Sequence, residues 1–117
     1  MPAAPLILVV EDEIDLRELF VEFLTQQGYR VASAVDFPEG AALLRSAHPT
    51  LLMTDVRLPN GDGRDLEKLA RAMDVPVLVI SAYPQDIDVG SDVAFLQKPF
   101  RLHDVEREIK RLLAGRP

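Results

Sequence analysis

Residues 51–63 read LLMTDVRLPNGDG. Leu51, Leu52 and Met53 are apolar in succession, with none of the alternation of a strand that has one wet face, so the run predicts a strand covered on both sides, as in a parallel sheet. Asp55 follows almost at once. It sets a carboxylate at the mouth of the core, where an unpaired ion costs several kcal/mol, so the stretch asks for a compensating partner.

Working outward, similar runs occur at Leu6 to Val10, at Val75 to Ile80 with Pro76 near its start, and at Val93 to Leu96. Arg30 to Val35 is shorter and mixed, as suits an edge strand. Helical spacing fills the gaps. Leu16, Leu19, Phe20, Phe23 and Leu24 share a face, with Gly28 as a stop. Asp36 is an N-cap with Pro38 in the first turn of a second helix carrying Ala41, Leu43 and Leu44. A third helix runs from about Arg64 through Met73. The last, from about Leu102, carries Val105, Ile109, Leu112 and Leu113. Strand and helix thus alternate, and right-handed crossovers make such a chain an open parallel sheet with helices on both faces. Between Ala82 and Asp92, AYPQDIDVGSD is rich in turn formers and aspartate, which predicts a loop or at most one helical turn.

At 117 residues and 48% hydrophobic, the chain is expected to form one domain over residues 1–117. It has no cysteine, which removes disulfides, thiolate metal sites and cysteine nucleophiles. Leu6 to Val10 is too short to span a bilayer, and Glu11, Asp12 and Glu13 follow it, so neither a membrane span nor a signal peptide is expected and the cytoplasm is the default compartment. A formal charge of -6 with scattered Lys and Arg argues against direct DNA binding.

In open α/β sheets, ligands bind at the carboxyl ends of the strands. Here those ends carry Glu11, Asp12 and Glu13, then Asp55, then Ser81, then Lys98 before Pro99. Each has an ordinary explanation: acids suit a helix N-terminus, Asp is common in turns, and Ser81 and Lys98 are unremarkable singly. Their coincidence at different strand ends is what those explanations leave out. Two carboxylates about 5 Å apart repel by roughly 3 kcal/mol at an effective dielectric of 20, so the cluster invites a cation. His48 and His103 lie elsewhere, the donors are all oxygen, and that composition selects a hard ion such as Mg²⁺. Cation, carboxylate, hydroxyl and ammonium together are the parts phosphoryl transfer needs. No Gly-rich nucleotide loop is present.

With these residues in view, the chain resembles the receiver domain of two-component response regulators. The resemblance rests on ILVVEDE at 7–13, MTDVRLPNGDG at 53–63, VLVISAY at 77–83 and FLQKPF at 95–100, in this order over nearly the whole chain. It implies a flavodoxin-like three-layer α/β sandwich with a five-stranded parallel sheet in the order 2-1-3-4-5. It also implies that Asp55 accepts a phosphoryl group from phosphohistidine on a histidine kinase or histidine phosphotransfer protein. Asp12 and Asp55 would hold Mg²⁺ together with the Arg57 backbone carbonyl, and Glu11 would reach it through water. Ser81 would hydrogen-bond a phosphoryl oxygen, Lys98 would pair with the phosphate, and Phe95 would rotate when Ser81 moves. A cis Lys98–Pro99 peptide is part of the same pattern.

Three departures from the family shape the expectations. The fourth helix falls in the short Ala82 to Asp92 stretch and is expected to be shortened or absent. Arg57 and Tyr83 border the phosphoryl position and are expected to modulate its hydrolysis. No DNA-binding module follows Arg116, so output is expected through contact with a downstream protein. Other functions fit these residues less well. A receiver-like binding module that never takes phosphate would be expected to lose Asp12, Asp55 or Lys98. A phosphohydrolase with an aspartyl-phosphate intermediate wants a second aspartate where Arg57 stands. The expectation is therefore a signalling phosphoacceptor, not an enzyme acting on other substrates.

Overall fold

All of Leu51–Thr54 is buried, and the next strand in space repeats the pattern over Val77–Ser81. The computed structural model describes residues 4–82 and 92–114. In chain order these form β1 (Leu6–Val10), α1 (Ile14–Gln26), β2 (Arg30–Ala34), α2 (Phe37–Ala47), β3 (Leu51–Thr54), β4 (Arg57–Leu58), β5 (Gly61–Asp62), α3 (Gly63–Ala72), β6 (Val77–Ser81), β7 (Val93–Gln97) and α4 (Leu102–Leu113).

Five strands pair in parallel in the order β2-β1-β3-β6-β7. The two short strands β4 and β5 form a separate antiparallel hairpin, so the large sheet has the flavodoxin-like order 2-1-3-4-5 when its own strands are counted. The shortened fourth helix expected between Ala82 and Asp92 falls at residues 83–91, outside the described residues.

The uninterrupted apolar runs follow from burial on both faces. Leu8, Val10, Leu52, Val77 and Val79 point into one cluster with Ala41 and Leu44 of α2 and Leu66 and Ala70 of α3. Their neighbours Ile7, Val9, Leu51, Met53, Leu78 and Ile80 point into the other, against Phe20 and Leu24 of α1 and Val105, Ile109 and Leu112 of α4. Successive strand residues face opposite sides, so each strand feeds two cores.

Capping carboxylates set where α2 and α3 begin. Asp36 accepts a hydrogen bond from the Glu39 N–H at 3.0 Å and starts α2, with Pro38 in its first turn. Asp62 accepts from the Arg64 N–H at 2.8 Å and starts α3.

The chain leaves β1 toward β2 on one side and reaches β3 on the other. The carboxyl ends of β1 and β3 therefore flank a reversal of strand order, the place where this class of sheet opens a cleft.

Candidate functional site

The residues following four parallel strands meet at this cleft. Val10 leads into Glu11 and Asp12, Thr54 into Asp55, and Gln97 into Lys98, while Ser81 is itself the last residue of β6. The backbone joins these ends: the Asp55 N–H donates to the Val10 carbonyl at 3.4 Å and the Lys98 N–H to the Ser81 carbonyl at 2.7 Å.

Lys98 brings the side chains together. Its Nζ lies 2.7 Å from Asp55 Oδ2 and 3.6 Å from Glu11 Oε1. The other Asp55 oxygen, Oδ1, accepts the Arg57 N–H at 3.2 Å. The Asp55 side chain is 11% exposed and that of Glu11 4%, so one ammonium serves two carboxylates that have little access to water.

Titration follows from that burial. Glu11 is pushed above the ordinary carboxylate range chiefly by burial, with the neighbouring Asp12 and Asp55 acting the same way, while the Glu13 N–H and the Lys98 charge partly offset the shift. For Lys98, burial works against the ammonium, but the Asp55 hydrogen bond and the Glu11 and Asp55 charges outweigh it and the value rises.

The loop after Asp55 is held from several sides. Pro59 and Asn60 turn the chain between paired Leu58 and Gly61, and Asn60 has φ +61°, a left-handed value that asparagine tolerates in turns. The Phe37 N–H donates to the Pro59 carbonyl at 3.1 Å, and the Gly63 N–H to the Val56 carbonyl at 2.7 Å. A Cβ on Gly63 would land on the Asp55 carbonyl oxygen, and one on Gly61 would enter the Phe37 ring. These glycines let the hairpin close against the strand end.

Asp12 is exposed and, with Arg57, Leu58, Pro59 and Asp62, lines an open groove of about 500 Å³ beside the carboxylates. Ser81 is 1% exposed, and Phe95 is half-buried against the cluster of Leu8 and Val79. The Lys98–Pro99 peptide is cis. Tyr83 lies outside the described residues.

The donor set fits Mg²⁺ of the kind that takes one or two carboxylates and keeps several waters. Asp12, Glu11 and Asp55 offer only oxygen donors, and Lys98 Nζ contacts two of them, Glu11 and Asp55. Among the described residues no three acidic or histidine side chains stand close enough to hold an ion by themselves, so an ion here would need water and backbone oxygen as well.

Sequence reasoning missed three contributors. Arg17 Nη1 donates to the Glu11 carbonyl at 2.9 Å, fixing the acidic loop to α1. Gly63 admits the Asp55 backbone, and Phe100 stacks on Phe20. The Pro-Asn-Gly triplet signals the hairpin in the sequence; the stacking and Arg17 contacts carry no local signal.

Comparison with known proteins agrees with this architecture. The profile of the response regulator receiver domain matches residues 7–110. A response regulator receiver protein from Sinorhizobium medicae WSM419 is 26% identical, superposes with a TM-score of 0.88, and the alignment covers 97% of this chain and 98% of that one. The receiver domain of sensor histidine kinase PA1611 from Pseudomonas aeruginosa PAO1, solved with magnesium coordinated in its active site cleft, is 25% identical with a TM-score of 0.84, covering 97% of this chain and all of that one (100%). RpaA of Synechocystis, a DNA-binding dual master transcriptional regulator, is 34% identical over 93% of this chain and 49% of its own length. The chain spans about half the length of the curated relatives it matches.

These relatives correct one expectation. Output without DNA is the expectation from the acidic balance, the scattered cations and the absence of a DNA-binding module after Arg116, yet several relatives are named as transcriptional regulators, RpaA expressly as DNA-binding. The charge argument describes only the surface of this acidic stretch. It carries no information about the other half of such regulators, where a basic surface can reside. Among the described residues no helix is long and apolar enough to cross a membrane.

Proposed function

The chain belongs to the response regulator receiver domain family of two-component signal transduction, and from that premise we propose that Asp55 is its phosphoacceptor. The observation that carries the reading is the Lys98 ammonium held 2.7 Å from a carboxylate at the carboxyl end of a central strand. Receiver domains are signalling domains, and the reaction proposed here is one the chain performs on itself.

In that reaction an Asp55 oxygen attacks the phosphorus of a phosphohistidine. The new O–P bond gives an acyl phosphate, the P–N bond breaks, and the imidazole leaves after taking a proton. Lys98 pairs with charge on the transferred group, and its contact with Asp55 Oδ2 aligns the nucleophile beforehand. The Arg57 N–H holds Oδ1, so the carboxylate is oriented at both oxygens. Ser81 is assigned a hydrogen bond to a phosphoryl oxygen, and Phe95 the aromatic role that follows Ser81. Arg57 and Tyr83 are assigned the control of water access to the acyl phosphate.

Asp12, Asp55 and the Arg57 carbonyl would hold Mg²⁺, with Glu11 joined through water. When bound, the ion neutralises charge on the phosphoryl oxygens. The magnesium in the cleft of the PA1611 receiver supports this assignment.

The relatives named as transcriptional regulators support placing this receiver in a regulator that acts on transcription. The phosphoacceptor reading is tested by incubating wild type and Asp55→Ala with Mg²⁺ and acetyl phosphate and measuring intact mass. One added phosphoryl group in wild type only is the expected result; equal labelling of both, or of neither, overturns the assignment.

A further inference from the structure

Phe20 and Phe100 stack with ring centroids 5.4 Å apart and planes 24° from parallel. Phe20 lies in α1 and is 2% exposed, while Phe100 stands two residues after Lys98 and packs on the same buried cluster. Phe20 also joins Glu11, Thr54 and Asp55 in lining a cavity of about 10 Å³ behind the carboxylates.

The same helix holds the acidic side of the site. Arg17 Nη1 donates to the Glu11 carbonyl at 2.9 Å, three residues before Phe20 in α1. Arg17 thus fixes the loop bearing Glu11, and Phe20 fixes the loop bearing Lys98. The helix is a common mount for the two halves of the ion cluster.

Lys98 needs such a mount. Its ammonium sits at the end of a flexible four-carbon stem, yet contacts Asp55 at 2.7 Å and Glu11 at 3.6 Å. On one side its backbone is anchored by the N–H bond to the Ser81 carbonyl at 2.7 Å. On the other, the first packed side chain is Phe100. From this geometry we infer that Phe100 is a positioning residue for phosphoryl transfer, acting through Lys98. The inference rests on the phosphoacceptor reading of Asp55.

The test follows phosphorylation by Mg²⁺ and acetyl phosphate over a range of donor concentrations, read by intact mass. It compares wild type, Phe100→Ala, Phe100→Tyr, Lys98→Ala and the Lys98→Ala, Phe100→Ala double variant. Misplacing a reacting group by about 1 Å can cost up to roughly 100-fold, and Phe100→Ala is expected to lower the rate at saturating donor about tenfold. Phe100→Tyr, which keeps the ring, restores it. In the Lys98→Ala background, Phe100→Ala changes nothing further. An unchanged rate in Phe100→Ala, or the same fall in both backgrounds, overturns the inference. Should Phe100→Ala unfold at the assay temperature, Phe100→Leu carries the same comparison. A wild type that takes no phosphoryl group overturns the phosphoacceptor reading and this inference with it; a labelled wild type with a background-independent effect overturns this inference alone.

Discussion

Lys98 Nζ lies 2.7 Å from Asp55 Oδ2, a contact made across 43 residues of sequence by two strand ends separated in the sheet only by β6. This pair compensates the carboxylate that follows β3, and it also bounds what removal of either partner does.

Lys98→Ala leaves Asp55 and Glu11 facing each other without their cation. A fully buried pair broken in this way costs about 3–5 kcal/mol, and the 24% exposure of the Lys98 side chain reduces the expectation to roughly 1–2 kcal/mol. Denaturant unfolding without metal should show that loss, and adding Mg²⁺ should recover part of it. A variant as stable as wild type in metal-free buffer contradicts the cation's role.

Glu11 gives the site a pH dependence. Its folded value lies above the ordinary 4.5, so the folded state binds the proton more tightly than the unfolded state. Its contribution is present below about pH 4.5 and is lost as pH rises through the raised folded value. Metal-free stability of wild type relative to Glu11→Gln should therefore fall across that window. Parallel stability curves for the two proteins would show that burial does not shift Glu11.

Gly63→Ala tests the packing behind the nucleophile. The added methyl meets the Asp55 carbonyl oxygen, a backbone atom that cannot rotate away. The cost should be about 3 kcal/mol, at the upper end for overpacking, and chemical denaturation measures it. An effect below about 0.5 kcal/mol, the range of ordinary surface changes, would mean the loop moves freely.

Mg²⁺ should raise the melting temperature of wild type by linkage, reaching about 2.7 kcal/mol at a hundredfold excess over Kd. Asp12→Ala should abolish most of that rise without much change in metal-free stability, because Asp12 is exposed. An equal rise in both proteins would place the ion elsewhere.

Much of this was legible in the sequence because burial on both faces leaves a direct mark. The apolar runs located four of the five strands of the large sheet, the mixed stretch at Arg30 gave the edge strand β2, and Asp36 and Pro38 marked the start of α2. The β6 boundary moved from Val75 to Val77, since Pro76 has no N–H to give a strand ladder. The β4–β5 hairpin was overlooked because two-residue strands have no periodicity to read. Strand-end positions brought Glu11, Asp55 and Lys98 together on paper, and the ion pairs agree in space. The Phe20–Phe100 stack had no such signal: both residues serve as apolar markers in their own segments, and their contact depends on how α1 packs against the chain after β7. The output expectation failed for a different reason, since neither the charge of one acidic stretch nor the residues after its last helix report on the other half of relatives about twice as long.

The most direct measurement of the central claim is chemical trapping. After incubation with Mg²⁺ and acetyl phosphate, borohydride reduces an acyl phosphate on an aspartate to homoserine, which peptide mass spectrometry locates. Homoserine at position 55 and nowhere else is the expected result. An unreduced Asp55, with the label on another residue or absent, would contradict the account.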